Sequence, residues 1–169
     1  MTQPSSLDNP LLAELQWVHN MLRRDLAVIR ELADAAADGA PSRQIQAGLQ
    51  DLQSRGPLFQ LKVNCLNYCQ LVHHHHRAED AMLFPAVRQS APHLSAVVDK
   101  LEADHLAVSD LLRQVEDHAL QLSDVEAEVR LSLVFALRSL SDYLLEHLEF
   151  EEANLAPVLA SWQSWPFWS

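Results

Sequence analysis

Six residues of two chemical types recur at helical spacing in this 169-residue chain: His19, His75, Glu79, His105, His147 and Glu151. Two of the histidines are followed one turn later by a glutamate, giving His75-x-x-x-Glu79 and His147-x-x-x-Glu151. Residues four apart lie on one face of an α-helix, so each pair addresses a single point in the interior. All six fall on apolar stripes, and burying two carboxylates and four imidazoles among leucines is very costly without compensation. A pair of iron ions supplies that compensation, because imidazole and carboxylate donors together suit iron. A lone histidine on an apolar face is usually a core residue whose ring nitrogens find hydrogen bonds. Four of them, one per helix and accompanied by two inward glutamates, point to metal. A structural bundle whose histidines hold zinc or nothing is the alternative.

The elements that must position these residues are four long helices, read from apolar residues at alternating spacings of three and four. The first is predicted from about Leu7 to Asp38, with Leu12, Leu15, His19, Leu22, Leu26 and Ile29 on one face and Gly39 and Pro41 as its stop. Ser42 reads as the N-cap of a short helix ending near Arg55, before Gly56 and Pro57. The second long helix spans about Leu58 to Ser90, its stripe running Leu61, Cys65, Tyr68, Val72, His75, Glu79, Met82, with Pro85 expected to kink or loosen its last turn. Pro92 opens the third, whose seam holds Leu94, Val98, Leu101, His105, Val108, Leu112 and Val115. Ser123 or Asp124 caps the fourth, which carries Val129, Leu133, Ala136, Leu140, Tyr143, His147 and Glu151 and is expected to end at Pro157. The fold expected is an all-α, up-down four-helix bundle with a short extra helix between helices 1 and 2. It forms a single domain over 1–169, with the bundle at about 10–160 and an aromatic tail at 161–169. That tail holds Trp162, Trp165, Phe167 and Trp168, which either cap one end of the bundle or meet a partner chain.

Composition narrows the function. Only 3 glycines are present, too few for the tight turns of an all-β fold. A net charge of −11 repels nucleic acid and anionic membrane and suits a protein that attracts cations. No stretch approaches the ~20 apolar residues of a membrane span. The first ten residues are polar, with no basic region leading into an apolar run, so a cytoplasmic location is expected. Cys65 and Cys69, four apart on one helix, are poorly placed for a disulfide and read as small core residues.

The stretch His73-His74-His75-His76-Arg77-Ala78-Glu79-Asp80-Ala81-Met82-Leu83-Phe84-Pro85 resembles the second-helix signature of the hemerythrin-like, or HHE cation-binding, family. His147-Leu148-Glu149-Phe150-Glu151-Glu152-Ala153-Asn154-Leu155-Ala156-Pro157 resembles its fourth-helix signature. With His19 and His105 the order becomes H, HxxxE, H, HxxxE, as in bacterial members, and the similarity covers about residues 10 to 160. The resemblance implies two iron ions with an oxo or hydroxo bridge. His19, His75, His105 and His147 are then terminal ligands, and Glu79 and Glu151 bridge. One position departs from the pattern. Oxygen-carrying hemerythrins have a second histidine one turn on in the third helix, where this chain has Ser109. One iron is therefore expected to lack an imidazole, which argues against reversible oxygen carriage and for redox chemistry at an open position.

Several residues are candidates for that position. His76 and His74 flank His75, and either reaches the cluster if the helix is locally distorted. Tyr68 and Tyr143 are expected to point inward, as core aromatics or as phenolate ligands. Glu102 reads as a supporting or surface residue, and His93 and His118 as solvent-facing. Glu152, one step off the seam, is expected to be dispensable. The partners implied are small-molecule oxidants or diatomic gases (hydrogen peroxide, nitric oxide, oxygen), with monomer and homodimer both compatible. An enzyme with catalase- or peroxidase-like activity and an oxygen-binding or iron-sensing module both fit this reading.

Overall fold

In the computed structural model, residues 9–39, 57–122 and 126–167 are described, and among them all regular structure is helical. Helix α1 (Pro10–Ala37) starts where Asn9 accepts the Leu12 N–H at 3.1 Å and Pro10 takes a position that needs no amide hydrogen. The Asn9 amide also donates to the Ala156 carbonyl at 3.0 Å, tying this end of α1 to the far end of the last helix. Gly39 follows with a φ of 74°, the left-handed backbone expected at a helix stop. The expected short helix over 42–55, the Pro41 stop and the Ser123 or Asp124 cap lie outside the described residues.

The second rod has three parts: α2 (Pro57–Ala78), one π-helical turn (Glu79–Leu83) and α3 (Phe84–Ser90). Pro85 explains the middle part. It has no N–H, and its ring would clash with the carbonyl four residues back in a regular α-helix. The wide turn, closed by the Phe84 N–H on the Glu79 carbonyl, accommodates it. Widening the turn also moves the inward register from Met82, which is 37% exposed, to Leu83, which is buried. A short 3₁₀ turn at Pro92–Leu94 leads into α4 (Ser95–Leu120), and α5 (Ala127–Ser161) closes the bundle. The last helix runs through Pro157 instead of ending there, because Leu155, Val158 and Leu159 on its final turns are held in the core.

Each long helix packs against two neighbours, in the ring order α1, α2, α4, α5 and back to α1. This is the up-down four-helix bundle, and its core comes in two pieces. The larger apolar cluster includes Leu22, Leu26, Val72, Val108, Leu140, Leu144 and Leu148. The smaller includes Leu12, Leu15, Leu83, Phe84, Leu101, Leu155 and Leu159, with Trp162, Trp165 and Phe167 packed on it. Between the two, on every long helix, sits a candidate residue: His19 between Leu15 and Leu22, Glu79 between Val72 and Leu83, His105 between Leu101 and Val108, Glu151 between Leu148 and Leu155. The apolar core is thus interrupted by one polar layer.

Candidate metal centre

All six seam residues converge in that layer. His19, Glu79, His105, His147 and Glu151 are buried, and His75 is nearly so. His19 Nε2 lies 3.7 Å from Glu79 Oε1 and 3.6 Å from Glu151 Oε2. His75 Nε2 is 3.1 Å from Glu79 Oε1, His105 Nε2 is 3.4 Å from Glu79 Oε2, and His147 Nε2 is 3.7 Å from Glu151 Oε2.

His76 joins them, although adjacent residues on a regular helix diverge by about 100°. It is buried, its ring stacked on His105 at 3.8 Å and edge-on to His147 at 5.2 Å. His75 and His76 both sit on the regular part of α2, and each serves a different side of the layer: His75 lies with His19 and Glu79, His76 with His105 and His147. His74 does not reach it: it is exposed, with its Nδ1 3.1 Å from the Arg77 guanidinium. Tyr68 is buried, but its hydroxyl donates to the Leu22 carbonyl at 3.1 Å inside the larger apolar cluster. Tyr143 is 38% exposed, because Leu144 takes the inward position beside it. Glu102 pairs with Arg88 at 2.6 Å on the surface, His93 is exposed and Ser109 is half-buried.

The donor atoms form three close sets: His19, His75 and Glu79; His76, His105 and His147; and Glu79, His105 and Glu151. Glu79 belongs to two of them. Three imidazole Nε2 atoms (His19, His75, His76) and all four carboxylate oxygens of Glu79 and Glu151 are buried without a hydrogen-bond partner. Native interiors rarely leave such atoms orphaned. Burial drives every group towards its neutral form: the His75 ring is pushed down to about 3, His105 to about 2 and His147 to about 4, while the Glu151 carboxyl is pushed up to about 8. Burial and the neighbouring Glu151 raise Glu79 as well. A cation reverses the last of these shifts, since it favours the carboxylates and takes imidazoles that are already neutral. The His105 and His147 Nε2 atoms, 3.1 Å apart, are also at about the separation of two donors set at right angles ~2.1 Å from one ion. The residues present fit a pair of cations.

Three acidic residues that the apolar periodicity did not single out orient the rings. His19 Nδ1–H donates to Glu152 at 2.8 Å, and Arg23 donates to the same oxygen at 2.8 Å. His105 Nδ1–H donates to Asp80 at 2.8 Å, and His147 Nδ1 faces Asp104 at 3.5 Å. A proton fixed on Nδ1 leaves Nε2 as the lone pair turned inward. One pattern covers all three cases: an acid next in sequence to a candidate ligand holds the ring of a neighbouring helix. The doublets Glu79-Asp80, Glu151-Glu152 and Asp104-His105 are the sequence signal for it. The contact of Glu152 with His19 runs against the expectation that Glu152 is dispensable, and Glu152→Ala is expected to weaken metal binding 10- to 100-fold. Equilibrium dialysis measures this, and unchanged affinity would remove Glu152 from the account.

A four-helix bundle that gathers buried imidazoles and carboxylates in one layer defines a cation-binding helical protein. The chain belongs to the hemerythrin HHE cation-binding domain family, whose model matches residues 11–159. Among curated proteins and among solved structures, nothing matches it. Among the described residues, no helix is long and apolar enough to cross a membrane.

Proposed function

We propose that this chain is a non-haem di-iron protein that reacts with small oxidants, namely hydrogen peroxide, nitric oxide or oxygen, in catalase- or peroxidase-like protection. The observation that carries the reading is a chain of three donor sets, the middle one (Glu79, His105 and Glu151) sharing Glu79 with one and His105 with the other, buried between two apolar clusters. His19, His75 and Glu79 would hold one ion and His76, His105 and His147 the other, with Glu79 and Glu151 shared. Bound there, iron supplies Lewis acidity and electron transfer. The chain's own residues do the rest. Glu79 and Glu151 offset the charge of the ions, and the apolar layers above and below keep water out. Asp80, with a side chain 42% exposed and its carboxyl pushed up to about 6 by burial and by Glu102, accepts the His105 Nδ1–H and can pass a proton to solvent. Tyr143 donates to Asp104 at 3.0 Å, giving His147 a second hydrogen-bonded route outward. Such routes serve turnover.

One observation favours a second reading. His76 brings an imidazole to the layer and so offsets the one missing at Ser109, which restores the donor count of an oxygen carrier. Stopped-flow mixing of the reduced, iron-loaded protein with oxygen, and of the oxidised protein with peroxide, separates the two readings. Oxygen release from peroxide with no stable oxygen adduct is expected. A long-lived, reversible oxygen adduct and inertness to peroxide would establish the carrier instead.

A further inference from the structure

A cavity of about 240 Å³ lies between α1 and the second rod, and the C-terminal tail forms its outer wall. Its sides are Leu15, Val18, Met82 and Leu83, its cover is Trp165 and Phe167, and His75 and Glu79 are the polar residues it reaches inside. Trp165 is fixed there, its indole N–H donating to Glu14 at 2.7 Å and its ring stacked on Phe167 at 5.6 Å. Trp162 buttresses it edge-on at 6.4 Å and donates to Ser90 at 3.2 Å. The tail therefore does more than cap an apolar end: it walls one side of an open cleft whose inner end includes the Glu79 carboxylate and the His75 Nε2, buried atoms with no hydrogen-bond partner.

We propose that this cavity binds uncharged small molecules with an apolar body, the polar end meeting His75 and Glu79, and that the tail selects them by size and charge. Three observations support the class. The volume is about eight times one water's ~30 Å³ share of the liquid, roomier than a diatomic gas or hydrogen peroxide requires. The walls are aliphatic and aromatic, which holds water poorly and apolar groups well. The Glu14 carboxylate at the tail and a net charge of −11 disfavour anions. The inference rests on the di-iron reading in one respect only, that His75 and Glu79 belong to the reactive layer. It names the kind of molecule that reaches their side of that layer.

The test uses the full-length chain loaded with redox-silent zinc and labelled with ¹³C at its methionine methyl groups. Phenol is the uncharged probe, and benzoate is its charged counterpart of similar size. Phenol is expected to shift the Met82 methyl signal saturably and to leave that of Met21 alone, with benzoate binding at least tenfold more weakly. Val18→Phe, which fills the cavity from a half-buried position, is expected to abolish the phenol shift. Trp165→Ala, which removes the cover, is expected to weaken phenol binding at least tenfold and to narrow the gap to benzoate. An unresponsive Met82, equal affinity for the two probes, or Val18→Phe binding like wild type would each overturn the proposal. Phenol binding at Met82 by a chain that is inert to oxidants in its iron form would leave the cavity standing and sink the di-iron function. Reactivity with oxidants without binding at Met82 would do the reverse.

Discussion

Glu79→Ala is expected to strip most of the metal from the purified protein and to lower its melting temperature by about 10 °C. Glu79 belongs to both donor sets that contain a glutamate, and both its oxygens are buried without a hydrogen bond. Removing one partner of a buried charge pair costs about 3–5 kcal/mol, and in a domain of this size 1 kcal/mol moves the melting temperature by about 2–4 °C. Glu151→Ala is expected to behave alike, since Glu151 is wholly buried, while Glu149→Ala on the exposed face of the same helix changes neither quantity. The sign reverses in the metal-free chain. There the raised pKa values of Glu79 and Glu151 mean that the fold opposes their ionisation. These carboxyls therefore cost stability as pH rises above the ordinary carboxylate range, so Glu151→Leu stabilises the apo protein at pH 8. Metal analysis and calorimetry of both forms check this. Full metal retention by Glu79→Ala would show that the carboxylate does not serve the ions.

His76→Ala is expected to cost one of the two ions at least tenfold in affinity, whereas Ser109→His changes little in the wild-type background. His76 already stacks on His105 and meets His147, so the second donor set holds three imidazoles without help from position 109. In the His76→Ala background, Ser109→His lies one turn beyond His105 and is expected to restore part of the lost binding. Metal-to-chain ratios after dialysis measure all three variants. A second ion bound normally by His76→Ala would return His76 to the role of an ordinary core residue and leave the position opposite Ser109 open.

Periodicity and the two His-x-x-x-Glu pairs made the four helices and the six seam residues legible, because both follow from a fixed rotation per residue. What escaped them depends on departures from that rotation or on contacts between helices. His75 and His76 meet one layer although they are neighbours on the regular part of α2, because each joins a different donor set, and the π turn that follows at Glu79–Leu83 turned Met82 outward. Pro85 signalled a distortion but not its form. Tyr143 stands one residue from the inward Leu144, an error of register that a stripe with competing apolar residues invites. Pro157 alone signals a local stop, yet packing of Leu155, Val158 and Leu159 overrides it. Asp80, Asp104 and Glu152 act on rings of other helices, so no pattern within one helix could assign them.

The most direct test of the account is the metal content of the chain after expression in iron-replete medium, read together with its near-ultraviolet spectrum. Two irons per chain, with the absorption of a bridged iron pair, is the expected result, and Glu79→Ala loses both. A single iron, stoichiometric zinc without that absorption, or a well-folded chain that takes up no metal would contradict it.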